Sequence, residues 1–184
     1  MYNVGDKIVY PMHGAGIIES IEEKEILGNK QNYYVVKIPI GEMRVLIPTE
    51  NVENIGIREI ISEKDADKVF EMLGSKSKIS NDSWNKRYRE NMDKIKSGNI
   101  YEVVEVVNTL IQREKEKGLS TGEKKMLSSA KQILISELVL AKNMDPFEVE
   151  NIIDGFLNHW NYKYCIYKIH IHYKAYMRSC CISS

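Results

Sequence analysis

Met43-Arg44-Val45-Leu46-Ile47-Pro48 closes a series of short β-branched runs, and it decides how the chain divides. A run of this kind ended by proline reads as a strand, because proline's missing N–H is tolerated at a strand end. Working back, Tyr33-Tyr34-Val35-Val36-Lys37-Ile38 is a second run, followed by Pro39 and Gly41-Glu42. Gly28-Asn29 marks a turn before it, and Glu22-Glu23-Lys24-Glu25 reads as a solvated strand end or hairpin. Ile17-Ile18-Glu19-Ser20-Ile21 is a third run, and Lys7-Ile8-Val9-Tyr10-Pro11 the first. Between those two, His13-Gly14-Ala15-Gly16 reads as a turn. Runs split by Gly, Asn and Pro at this spacing predict a small antiparallel barrel or curled sheet over residues 1–56.

Working forward, the period changes near residue 57. Ala66, Val69, Phe70 and Leu73 recur as on one face of a helix. Gly74-Ser75-Lys76-Ser77-Lys78 breaks it, and Asn81-Asp82-Ser83 offers caps for a helix carrying Trp84, Tyr88, Met92 and Ile95. Ser97-Gly98-Asn99 stops that helix. Val103, Val106, Val107, Leu110 and Ile111 line the next, and Gly118 is a natural stop. Ser120-Thr121-Gly122-Glu123 matches a capping box ahead of Met126, Leu127, Ala130, Ile133, Leu134 and Leu138. Asp145-Pro146 opens a last helix with the stripe Val149, Ile152, Ile153, Phe156. The expected class is α+β, with a β module at 1–56, a compact helical domain at 57–157, and an atypical tail at 158–184.

The chain has 184 residues, and 26 basic side chains balance 26 acidic ones. That excludes coating of nucleic acid by bulk charge but not a local basic patch. The tail carries four cations and no acidic residue, so the preceding chain holds 22 basic against 26 acidic groups. Residues 80–157 hold 12 basic and 13 acidic side chains, so any grip on DNA there is local and weak. No signal-like leader or apolar span is evident, which predicts a cytoplasmic protein without membrane contact. Cys165, Cys180 and Cys181 lie in the tail with His159, His170 and His172. Their spacing fits no closed zinc pattern, so no metal and no cofactor are expected. The tail's tyrosines and lysines also admit a basic aromatic arm for nucleic acid, but no tail residue completes a core and an extraneous extension is the favoured reading.

Catalytic constellations are missing: there is no phosphate-binding loop, no dinucleotide fingerprint and no His-Glu-x-x-His. His13 is expected to be a polar turn residue. What remains is recognition. Ser83-Trp84-Asn85-Lys86-Arg87-Tyr88-Arg89 sets an indole among three cations at a helix start. Spacing alone favours Trp84 as a core residue of its stripe. The functional reading is an aromatic wedge between phosphate-binding cations. Lys124-Lys125 stands one step into the capped helix, where free amides and the helix dipole favour an anion.

These motifs together resemble the CarD/CdnL family of bacterial RNA polymerase-binding regulators. The resemblance rests on Val4-Gly5-Asp6-Lys7-Ile8-Val9-Tyr10-Pro11-Met12-His13-Gly14, on Ile47-Pro48-Thr49-Glu50-Asn51, on Trp84 to Arg89 with Lys96-Ser97-Gly98, and on Gly118 to Leu127. It covers residues 1–157. It implies a Tudor-like N-terminal barrel that docks on the polymerase β subunit, through positions matching Lys24, Ile26 and Leu46. Some relatives carry arginine where this chain has Lys24 and Leu46; Arg44, two residues before Leu46, projects to the same strand face. Sheet-edge pairing is one way such a module holds a partner. The resemblance further implies that the helical domain meets the upstream edge of the melted promoter. Trp84 would wedge there, with Arg89 and Lys124 matching DNA contacts, and Lys86, Arg87 and Lys125 beside them. A monomer that stabilises the open complex without chemistry is the leading expectation. The alternative is a protein–protein adaptor that never touches DNA; an exposed indole speaks for the first and a buried one for the second.

Overall fold

A computed structural model describes residues 1–157 apart from 27, 42, 76–79 and 81, and leaves the side chains of 29, 156 and 157 aside. Five strands open the chain: β1 (Lys7–Tyr10), β2 (Gly14–Ile26), β3 (Asn29–Lys37), β4 (Arg44–Pro48) and β5 (Arg58–Glu59). They form one antiparallel sheet in the order β4-β3-β2-β1-β5. A short 3-10 turn and a one-turn helix, α1 (Val52–Ile55), link β4 to β5. Gly56 ends α1 at φ 77°, a left-handed position suited to glycine. The α+β expectation holds, and the sheet runs on through β5, beyond the boundary expected at residue 56.

Alternation along β3 sends Tyr34 and Val36 into a core with Ile8, Ile18, Ile47 and Ile57. The register sets Val35 opposite Leu46, Lys37 opposite Arg44 and Gln31 opposite Lys24, all on the other face. A bulge between Ile18 and Ser20 makes this possible. Without that extra residue, Lys24 and Ile26 would point to the core face, because a one-residue slip reverses every side chain.

The His13-Gly14-Ala15-Gly16 turn needs correction. The turn lies at Pro11 to His13, and Gly14 already starts β2. The glycines are there because a helix and a neighbouring strand approach. A Cβ on Gly14 would sit 2.5 Å from Ser136 Oγ, and one on Gly16 2.7 Å from the Lys37 carbonyl oxygen. His13 lies against the Tyr10 ring at 4.3 Å.

Five helices follow: α2 (Glu63–Met72), α3 (Trp84–Lys96), α4 (Ile100–Lys117), α5 (Thr121–Lys142) and α6 (Pro146–Leu157). All but α3 start where a polar side chain supplies an acceptor that the first amides lack. Ser62 accepts from the Asp65 amide, Asn99 from Tyr101, and Asp145 from Phe147. The expected capping box at Ser120 and Glu123 forms in full. Ser83 precedes α3 but makes no side-chain cap, and Asn81 lies outside the described residues. Val69, Phe70, Ile95, Val103, Val107, Leu134 and Leu138 share one helical core. No helix among the described residues is long and apolar enough to cross a membrane. The tail at 158–184, with its cysteines and histidines, lies outside the described residues.

Sheet and helices meet at the second half of α5. Val9, Ala15 and Leu140 form a small apolar seam, worth a few kcal/mol at about 1.5–3 per large side chain. Polar links fix the alignment. Ser136 Oγ accepts from the Ala15 amide at 2.8 Å, and Lys7 Nζ donates to the Leu140 carbonyl at 2.9 Å. Glu137, 1% exposed in its side chain, holds Arg58 through two bonds and accepts from the Ile61 amide at 3.0 Å. Arg58 also donates to the Gly98 carbonyl, at the end of α3.

Candidate nucleic-acid interface

Trp84 is the first residue of α3, so its side chain leaves the helix beyond the last packed turn of the core. The residue is 43% exposed. Its stripe partners divide: Ile95 is buried, while Tyr88 and Met92 pack on the core edge. The expectation of a core tryptophan, favoured by spacing alone, does not hold. The indole stacks on Tyr88 with ring centroids 5.1 Å apart and an interplanar angle of 28°. Its Nε1–H donates to Ser120 Oγ at 2.9 Å, tying the start of α3 to the start of α5.

The capping box beneath it is an ion cluster. Ser120 Oγ accepts from the Glu123 amide at 3.2 Å and donates to Glu123 Oε2 at 2.8 Å. Glu123 Oε2 also accepts from the Ser120 amide at 3.1 Å. Its other oxygen accepts from Arg87 Nη2 at 3.0 Å and faces Arg113 Nε at 3.4 Å. Burial alone would raise the Glu123 carboxyl; the Ser120 amide and hydroxyl and the Arg87 guanidinium outweigh it and hold it below its ordinary value.

The six expected DNA residues therefore separate. Arg87 is only 12% exposed in its side chain; it is committed to Glu123 and to the Asp82 carbonyl. Lys86 is exposed but paired with Asp82 at 3.2 Å and Glu90 at 3.8 Å, and the bond to Asp82 raises its pKa. Arg89, Lys124 and Lys125 are exposed and make no ion pair among the described residues. The packing of Trp84 on Tyr88, its bond to Ser120, its approach to Gly122 and the cluster with Arg113 escaped sequence reading. One signal was present: a glycine in the first turn of a helix costs stability and asks for a packing reason.

The four expected docking residues lie on one sheet face, the face that packs on α5 at its other end. Ile26 is 43% and Leu46 41% exposed. Lys24 pairs with Glu22 at 2.9 Å, and Arg44 Nε donates to the bulge residue Glu19 at 2.7 Å. Lys24 and Ile26 sit on the distal arm of β2, where only β3 is paired; Leu46 sits on the edge strand β4. Among the described residues no cluster of His, Cys, Asp and Glu is arranged to hold a metal.

Family models match both parts. Residues 2–61 match the CarD-like/TRCF RID domain, and residues 68–154 match the CarD C-terminal domain. The first match ends just past β5. A relative named "Putative transcription factor YdeB" in Bacillus subtilis (strain 168) is 45% identical over 154 residues, which is 82% of this chain and 99% of that protein.

Proposed function

The chain belongs to the CarD/CdnL family of transcription factors, and from that premise we propose that it docks on the RNA polymerase β subunit and steadies melted promoter DNA with Trp84. The observation that carries the reading is the half-exposed indole, hydrogen-bonded at one edge and stacked on one face, at the meeting of two helix N-termini. A ring fixed this way stands ready to cap a base step at the upstream edge of the bubble without ordering itself on contact. Arg89, Lys124 and Lys125 take the flanking phosphates, with Lys86 contributing once its carboxylates give way. Arg87 holds the Glu123 carboxylate of the capping box and is left out of the phosphate contacts.

The mechanism needs no chemistry. A protein that binds the open promoter better than the closed one shifts the equilibrium by the difference in affinity. A base–aromatic stack is worth about 1–3 kcal/mol and about 1.4 kcal/mol is tenfold, so one indole suffices. The near-neutral helical domain binds DNA only weakly alone; the β module supplies local concentration by holding the polymerase through Lys24, Ile26, Arg44 and Leu46. Footprinting of a polymerase–promoter complex tests this. Altered protection at the upstream bubble edge is expected, and an unchanged pattern with polymerase still bound leaves only the adaptor.

A further inference from the structure

Gly122 is the second residue of α5, and no left-handed backbone explains it. An alanine there would favour the helix. The reason for glycine is the neighbour. A Cβ at this position would stand 3.3 Å from Cζ2 of Trp84 and 3.8 Å from Cε2 of Tyr88. The Cζ2 edge of the indole comes up against the bare first turn of α5. Ser120, two residues earlier, holds the same edge of the ring through Nε1. Its hydroxyl is fully used: it accepts from the indole and from the Glu123 amide, and donates to the Glu123 carboxylate.

We infer that Ser120 and Gly122 are positioning residues for Trp84: a hydrogen bond and a missing side chain along one edge of the ring set where the indole points. This rests on Trp84 acting at promoter DNA, and deepens that reading. The two contacts act differently. Ser120 also caps α5, so its loss weakens the fold and the seat together. Gly122 belongs to the seat alone, because a methyl group there suits the helix, touches Tyr88 at ordinary distance and crowds only the Cζ2 edge of Trp84, which must shift by a few tenths of an ångström. Stability and action on DNA therefore part company at residue 122. Ordinary surface glycines in helices do not behave this way; replacing them with alanine strengthens the protein and leaves function intact.

The experiment uses the full chain with polymerase on a promoter, measuring open-complex lifetime, thermal unfolding and the Trp84 indole N–H resonance. Gly122→Ala is expected to unfold at the wild-type temperature or above, to move the indole resonance, and to shorten the open-complex lifetime by about threefold or more. Ser120→Ala is expected to move the same resonance and to lose both stability and lifetime, and Ser120→Thr, which keeps a hydroxyl, to restore them. Trp84→Ala is the reference arm. If it leaves the lifetime unchanged, the DNA reading itself fails. If Trp84→Ala shortens the lifetime while Gly122→Ala leaves lifetime and resonance as in wild type, the DNA reading stands and the seat is overturned.

Discussion

Arg58 and Glu137 meet across the seam between sheet and helices in a two-bond ion pair, Nη1 to Oε1 at 2.6 Å and Nη2 to Oε2 at 2.9 Å. Arg58 comes from the last strand of the sheet and Glu137 from α5, so this pair helps align the sheet with the helix whose first turn holds Trp84. Removing Arg58 strands the buried Glu137 carboxylate, and about 3–5 kcal/mol of stability is lost in such cases. Arg58→Met should lower the urea midpoint sharply. Adding Glu137→Leu should recover part of the loss, because no unpaired carboxylate then remains; a double variant as weak as the single would show that the Ile61 amide, not the ion pair, dominates.

Gly14 and Gly28 both have positive φ, 102° and 81°, but only Gly14 is crowded. Gly28→Ala meets nothing within 4 Å and should cost only the backbone strain, about 1–2 kcal/mol. Gly14→Ala drives a methyl group into Ser136 Oγ and should cost clearly more, with the loss appearing as separation of sheet from α5. Denaturant midpoints of the two variants decide the order; equal losses would contradict close packing at Gly14.

The Glu123 carboxyl, held below its ordinary value, links stability to pH. Its contribution is complete above about pH 4.3, the ordinary value of an unfolded glutamate, and is lost as the pH falls through the lower folded value. Glu123→Gln should therefore be less stable than wild type at neutral pH, and the gap should close as both are acidified below about pH 4. Melting curves over that range are the check; a gap that stays constant would mean the charge of Glu123 contributes nothing.

Leu46 and Ile26 are partly exposed apolar side chains on one sheet face, outside the buried core clusters of the described residues. Leu46→Glu and Ile26→Glu should leave the melting temperature nearly unchanged. Each should weaken binding to the polymerase β subunit by about tenfold or more, as expected for apolar anchors of an interface. Calorimetric titration measures it; unaltered affinity would move the handle elsewhere on the module.

Periodicity made most of the fold legible. The helix stripes ending in Leu73, Ile95, Leu110 and Leu138 are each apolar rows with polar ends, and the capping box at Ser120 is local chemistry readable at a glance. What escaped depends on contacts distant in sequence. β5 is two residues with no pattern of its own, made a strand by pairing with Ile8 and Val9. The bulge after Ile18, which turns Lys24 and Ile26 toward the Leu46 face, leaves no mark in composition. Arg87 looks like any surface cation until Glu123, 36 residues on, draws it inward. Trp84 looked like core because its spacing matches Tyr88 and Ile95; its place at the very start of α3 carries it past the packed layer.

The account turns on the indole of Trp84, and the lifetime of the open promoter complex measured with wild type and Trp84→Ala tests it most directly. Loss of one base–aromatic stack of about 1–3 kcal/mol predicts that the variant folds, binds the polymerase β subunit as wild type does, and shortens the lifetime by about fivefold or more. A Trp84→Ala protein that binds polymerase and prolongs the open complex as fully as wild type would contradict the wedge.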